Sequence, residues 1–202
     1  MHSLPRVDDT VRIGVPLVGC GKFVAIGLNY ADHAAEANLP IPAEPIVFKA
    51  ITSLSGPNDP IMLPRDSSKT DWEVEIGTQA VFVEPKDAAK HIAGYCVVND
   101  VSEREYQMER GGIWDKGKGC DTFGPVGPWI VTADEVSDPQ ALDIWLDVNS
   151  TRMHRGNTRT MIFDCAEIVS YVSQFMTLMP GDIIATGTPP GVGMARSQIP
   201  FT

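Results

Sequence analysis

Apolar residues fall along this chain in short runs separated by turn formers, a pattern that predicts many brief strands and few helices. Phe23-Val24-Ala25-Ile26 reads as a strand ended by Gly27, and Ile46-Val47-Phe48 as a second. Ile61-Met62-Leu63 has strand character inside a stretch punctuated by Pro57, Pro60 and Pro64. In Asp71-Trp72-Glu73-Val74-Glu75-Ile76 acids alternate with apolar residues, as on a strand with one buried face. That strand is expected to continue, after a break, to Val81-Phe82-Val83. Tyr95 to Val98 predicts a buried strand, and Trp129 to Val131, Ile144 to Val148 and Ile183 to Ala185 predict three more.

Helical patterning is confined to a few segments. The Ala-rich stretch Asn29 to Ala37 predicts a helix stopped by Pro40. Asp87 to Ala93 predicts a short helix with Gly94 as its C-cap, and Ser102 to Glu109 a polar helix ended by Gly111-Gly112. The clearest helix runs from Cys165 to Met176. Asp164 can cap it with Glu167 three residues on, and Ile168, Val169, Val172, Phe175 and Met176 form its apolar face. There is no internal repeat. The sum is a mostly β, α+β architecture.

Composition narrows the reading. A chain of 202 residues with 43% hydrophobic content fits one large domain, with residues 1–20 a linker or the remnant of something before it. A net charge of −10 and the lack of a basic tract argue against nucleic acid as a partner. No apolar run approaches the roughly 18 residues that span a membrane, and no secretory signal is visible. Cys20, Cys96, Cys120 and Cys165 form no C-x-x-C pair, so free thiols in a reducing, cytoplasmic setting are expected.

The chemistry-bearing positions begin with Glu73 and Glu75. On a strand they share a face, and like charges that close repel unless a cation lies between them. Asp100, just after the Tyr95–Val98 run, offers a third carboxylate, and three oxygen ligands suit Mg²⁺ or Mn²⁺. The alternative is a solvated strand face. His33 and Glu36, three apart on one helix face, form a candidate general-base pair, against the alternative of ordinary surface neighbours. The glycine-spaced Lys116 to Pro125 carries two lysines, Lys116 and Lys118, and lets a lysine ammonium approach a ligand to stabilise a developing oxyanion, or is a solvated basic loop. Arg104 and Gln107 sit at the same spacing after Asp100, and Ala185 to Gly193 can present backbone N–H groups to an anion.

Taken in order from Gly21 to Gly193, these segments resemble the fumarylacetoacetate hydrolase family. The residues that carry the resemblance are Ile26 to Tyr30 with His33 and Glu36, Asp71 to Glu75, Gly94-Tyr95 through Asn99 to Ser102, Lys118 to Pro128, Val148-Asn149, and Pro180 to Asp182 through Thr186 to Pro189. The resemblance implies a rolled mixed β-sheet, usually in a homodimer, with residues 21–202 as the catalytic domain. It implies Mg²⁺ or Mn²⁺ on Glu73, Glu75 and Asp100, a lid helix carrying His33 and Glu36, a catalytic Lys118, and substrate contacts from Arg104, Gln107 and Thr188. Val98 to Arg104, Met108 to Gly112 and Arg155 to Thr160 are similar to bacterial members that hydrolyse 2,4-diketo-3-deoxy-L-rhamnonate or L-fuconate. The family pattern has a domain before Gly21 and strands after Gly193, and is longer at Ile76 to Gln79 and Met194 to Ser197, so a fragment or missing residues are expected.

The expected reaction is cleavage of a 2,4-dioxo acid, a small 2-oxo acid substrate, to pyruvate and a carboxylic acid. The alternatives are oxaloacetate decarboxylation or ureidoglycolate cleavage on the same site, or a binding protein without catalysis.

Overall fold

The computed structural model describes residues 7–78 and 85–195. Its strands and helices are β1 (Phe23–Gly27), α1 (Ala31–Glu36), β2 (Ile46–Lys49), β3 (Leu54–Ser55), β4 (Thr70–Asp71), β5 (Val74–Thr78), α2 (Pro85–Ala88), β6 (Gly94–Asn99), β7 (Ser102–Glu103), α3 (Asp115–Lys118), β8 (Gly124–Thr132), β9 (Asp143–Val148), β10 (Thr151–Asn157), α4 (Cys165–Ser173) and β11 (Ile183–Ala185). Seven strands form one curled mixed sheet in the order β2-β1-β11-β5-β6-β8-β3. β1 runs parallel to β11 and β3 to β8, and the other neighbours are antiparallel. The pairs β9–β10 and β4–β7 stand apart from it. This is the mostly β, α+β fold that the sequence predicts.

The unbroken apolar runs of β1 and β11 follow from burial on both faces. Val24, Ile26 and Ile184 join Val74, Ile76 and the α4 residues Ile168, Val169 and Val172 in one core, while Phe23, Ala25, Ile183 and Ala185 join Val98 and Val126 in a second. The same alternation turns Glu75 away from α4 toward the second face. Residues 7–20 form no helix or strand, yet Val15, Leu17 and Cys20 pack against that second core.

Helix α4 opens as the sequence predicts. Asp164 Oδ1 accepts from the Glu167 N–H at 2.7 Å and Glu167 Oε2 accepts from the Asp164 N–H at 2.8 Å. It ends at Ser173, however, so Phe175 leaves the apolar face and is 66% exposed.

Other expectations change. Ile61 to Leu63 joins no ladder among the described residues and is not a strand, its Met62 N–H donating to Thr122 Oγ1 at 2.8 Å. The segment Asp87 to Ala93 is the end of α2 and a 3₁₀ turn, and Gly94 opens β6 instead of capping a helix. A Cβ there would lie 2.4 Å from the Val131 carbonyl oxygen, so glycine is required by close strand approach. Within β6, Val97 is exposed. Ser102 to Glu109 divides into β7 and a single π-turn (Glu105–Glu109), because Ser102 and Glu103 pair with β4. The hairpin β9–β10 turns through Asn149 and Ser150, both at positive φ, and β10 had no sequence expectation. Val81 to Val83 lies outside the described residues. The four cysteines are unpaired, and among the described residues no helix is long and apolar enough to cross a membrane.

Asp182 locks the two parallel strands together at the end far from α1. Its buried carboxylate accepts from Lys22 N (2.8 Å), Lys22 Nζ (2.7 Å) and Met179 N (2.8 Å). Burial works to raise its pKa, but these donors outweigh it and hold it below the usual carboxylate value. The stability it supplies is therefore complete above the unfolded-state pKa and is lost as pH falls through the folded one. Asp182→Ala is expected to cost about 1–3 kcal/mol in urea denaturation at neutral pH. The gap to wild type should narrow as the pH falls below about 4. A constant gap across pH would show that this carboxylate is not the cause.

Candidate active site

The acids meet at the ends of β5 and β6. Glu73 lies just before β5, Glu75 within it, and Asp100 directly after β6. The register pairs Val74 with Asn99 and Glu75 with Val98, and the Asp100 N–H donates to the Glu73 carbonyl at 2.7 Å. The three carboxylates each bring an oxygen within 4.8 Å of the others, all three nearly fully buried.

Three cations surround them. Lys118, at the end of α3, is buried, and its Nζ donates to Glu73 Oε2 (2.9 Å), Asp100 Oδ2 (2.5 Å) and Ser102 Oγ (3.0 Å). The basic loop of the alternative reading is thus a short helix whose second lysine points inward. Arg104 spreads its guanidinium over Asp71 (Nε, 2.8 Å), Glu73 (Nη2, 2.6 Å) and Gln107 (Nη1, 2.7 Å). Lys49, wholly buried at the end of β2, donates to Asp100 Oδ1 and to the Lys118 carbonyl, both at 2.6 Å. Burial opposes charge on Lys118, but Asp100 and Glu73 outweigh it and raise its pKa. Burial pulls Lys49 below the ordinary lysine range despite Asp100. Burial opposes charge on Glu73 as well, yet Lys118 and Arg104 hold it far below the usual carboxylate value.

Glu75 differs. Burial, Asp100 and Glu73 together push its carboxyl well above the usual range. Its Oε2 accepts from the Gly187 N–H at 2.9 Å, and its Oε1 has no partner. An orphaned buried carboxylate oxygen beside two more carboxylates is what a divalent cation would satisfy. The oxygens already bonded keep spare lone pairs for it. The donor set, all oxygen, suits a hard ion. The residues present therefore fit the metal that the sequence implies.

Above the acids opens a cavity of about 400 Å³ lined by His33, Glu36, Glu73, Arg104, Gln107, Lys118 and Thr188 among others. His33 Nδ1 lies 3.2 Å from Glu36 Oε2, and that oxygen also accepts from the Gly191 N–H at 3.1 Å. Thr188 Oγ1 donates to the Val74 carbonyl at 3.1 Å. The N–H groups of the 185–193 turn thus serve three carboxylates of the chain itself, Glu75, Glu36 and Asp71. Gly187 and Gly191 have positive φ, and a Cβ at Gly191 would meet the Met153 carbonyl oxygen at 2.1 Å. Asn29 joins the turn to α1: its Nδ2 donates to the carbonyls of Thr186 (2.8 Å) and Phe163 (3.0 Å), and its Oδ1 accepts from the Phe163 N–H (2.8 Å).

Every predicted site residue is brought to this region. Sequence reasoning missed Lys49, a lone lysine after an apolar run, whose only local signal is that abrupt charge. It also gave Asp71 no role. Asp71 holds Arg104 and accepts from the Gly193 (2.5 Å) and Met194 (3.1 Å) N–H groups, tying the far turn to the acids.

Comparison with known proteins identifies the family. The family model for the fumarylacetoacetate (FAA) hydrolase C-terminal domain matches residues 22–200. A Burkholderia ambifaria protein named "Putative hydrolase" is 60% identical over 203 residues, covering 98% of this chain and 72% of its own. The crystal structure of 2-hydroxyhepta-2,4-diene-1,7-dioate isomerase from Mycobacterium marinum superposes with a TM-score of 0.79 at 40% identity, covering 89% of this chain and 68% of that one. Fumarylacetoacetate hydrolase from Exiguobacterium antarcticum gives 0.81 at 37% identity, covering 94% and 70%. With its curled mixed sheet and the match across nearly its whole length, the chain belongs to the fumarylacetoacetate hydrolase family.

Proposed function

We propose that this protein is a metal-dependent hydrolase that cleaves the C3–C4 bond of a 2,4-dioxo acid of the acylpyruvate type, giving pyruvate and a carboxylic acid. The observation that carries the reading is the unpartnered Glu75 oxygen among three converging carboxylates, next to a cavity holding a His–Glu pair. Asp71, Glu73, Glu75 and Asp100 exceed Lys49, Arg104 and Lys118 by one charge, so a bound divalent ion leaves the site net positive and suited to an anionic substrate. The chemistry that Mg²⁺ or Mn²⁺ supplies there is Lewis-acid attraction for charge on the substrate's 1-carboxylate and 2-oxo oxygens.

The chain's own groups do the rest. Glu36 fixes the tautomer of His33, whose other nitrogen takes a proton from water. The hydroxide adds to C4, and Lys118 with Gln107 stabilises the resulting oxyanion. Collapse of that adduct breaks the C3–C4 bond. The bonding pair moves to C3 and is shared with the C2 oxygen as an enolate. His33 returns its proton to C3, which completes pyruvate. Arg104, held by Asp71, and Thr188 orient the 2-oxo acid.

A second reading is favoured by the 40% identity to the Mycobacterium marinum isomerase: the same base would move a proton along a 2-hydroxydienoate without cleaving it. It predicts loss of the dienol absorbance with no pyruvate released.

Glu75→Gln is expected to weaken Mn²⁺ binding in calorimetry by more than the roughly 10–100-fold that an outer-shell change costs, with acetylpyruvate hydrolysis falling in step. Unchanged turnover in this variant would remove the metal from the reaction. His33→Ala is expected to lower hydrolysis by about 10²–10⁴-fold while leaving Mn²⁺ affinity intact. Lost Mn²⁺ affinity with retained turnover would reverse the roles of base and ligand, and a retained rate with oxaloacetate would favour decarboxylation.

A further inference from the structure

The cavity over the acids has two chemically distinct ends. At its floor, Glu73, Arg104, Gln107, Lys118, His33 and Thr188 are each no more than 9% exposed. Toward its mouth the lining is apolar: Leu39 (47% exposed), Met108 (48%) and Met194 (55%), with Trp114 and the buried Val192. The two cations and Glu73 thus lie deep, with thioether, indole and aliphatic surface outside, and the exposed Glu36 is the one charged group of the described lining beyond the floor.

The cations are the second observation. Among the described residues lining the cavity, Arg104 and Lys118 alone carry positive charge. Both are already committed to carboxylates at the floor: Arg104 to Asp71 and Glu73, Lys118 to Glu73 and Asp100. The polar groups of His33 and Glu36 are turned to one another. The described walls near the mouth therefore offer no cation to a second carboxylate and, besides the Trp114 indole N–H, no side-chain donor to a row of hydroxyls.

We infer that the distal half of the substrate is apolar and uncharged: the site takes a 2-oxo acid bearing an alkyl or aryl tail, neither a dioate nor a polyhydroxylated sugar acid. The inference rests on the proposed function and narrows it. It departs from the sugar-acid expectation raised by the sequence, and from the dioate named for the Mycobacterium marinum isomerase. The physical reason is desolvation. A terminal carboxylate laid against Met108 and Leu39 gives up water without gaining a partner. A methylene there gains roughly fourfold in affinity when fully buried.

A matched pair of ligands tests this without requiring turnover. 2-Oxoheptanoate and 2-oxoheptanedioate share a chain and differ only at the tip, and neither has the 4-oxo group that cleavage needs. With the Mn²⁺-supplemented protein, calorimetry is expected to show the monoacid binding at least about tenfold more tightly. Met108→Arg, at a half-exposed position, is expected to shrink or invert that ratio. Equal or tighter binding of the diacid by wild type overturns the inference, as does binding of neither, and a ratio unmoved by Met108→Arg overturns the placement of the tail. Hydrolysis assays on the 2,4-dioxo counterparts and on a 2,4-dioxo sugar acid read the reaction separately. The expected binding ratio with no cleavage of any dioxo acid would sink the proposed function and leave this inference standing.

Discussion

Opposite charges sharing one water-poor space are the constraint on which this molecule depends. Asp71, Glu73, Glu75 and Asp100 are buried beside Lys49, Arg104 and Lys118, and neither set could be withdrawn from water without the other. Lys118 is the centre of the arrangement, since its ammonium joins two strand ends and a serine in one contact shell. The match is deliberately imperfect at Glu75, whose second oxygen is left without a donor.

The sheet places this network where loops from distant parts of the chain can reach it. The parallel pair β1–β11 delivers both α1 and the 185–193 turn to one end, and Asn29 clamps the two together. The hairpin β9–β10 supports the turn from behind: His154 Nδ1 lies 3.0 Å from the Pro189 carbonyl oxygen, and Met153 presses on Gly191. The glycines of the turn are thus needed for two separate reasons, their backbone angles and the space they leave.

The parts legible in the sequence were those with a local period or a local partner. The alternation at Glu73 and Glu75, the spacing of His33 and Glu36, and the Asp164–Glu167 box each declare themselves within a few residues. Lys49 was invisible because its partner Asp100 lies 51 positions away and only sheet closure joins them. Ser102 to Glu109 was misread because tertiary pairing with Thr70 and Asp71, and the hydroxyls that hold Glu103, override a helical composition. Ile61 to Leu63 shows the converse, an apolar run with no strand beside it to complete a ladder. The hairpin at Asn149-Ser150 lacks the Asn-Gly signature that would have announced it.

Helix α1 is only six residues long and has no side-chain cap at its start. A helix that short does not persist in water on its own. It is fastened from outside, by the Asn29 backbone carbonyl to Ile162 and by Glu36 to the Gly191 N–H. The oxygen that fastens it is the same one that faces His33. Undocking the helix would break the Gly191 contact and carry His33 and Glu36 away from the acids together, since both ride on it.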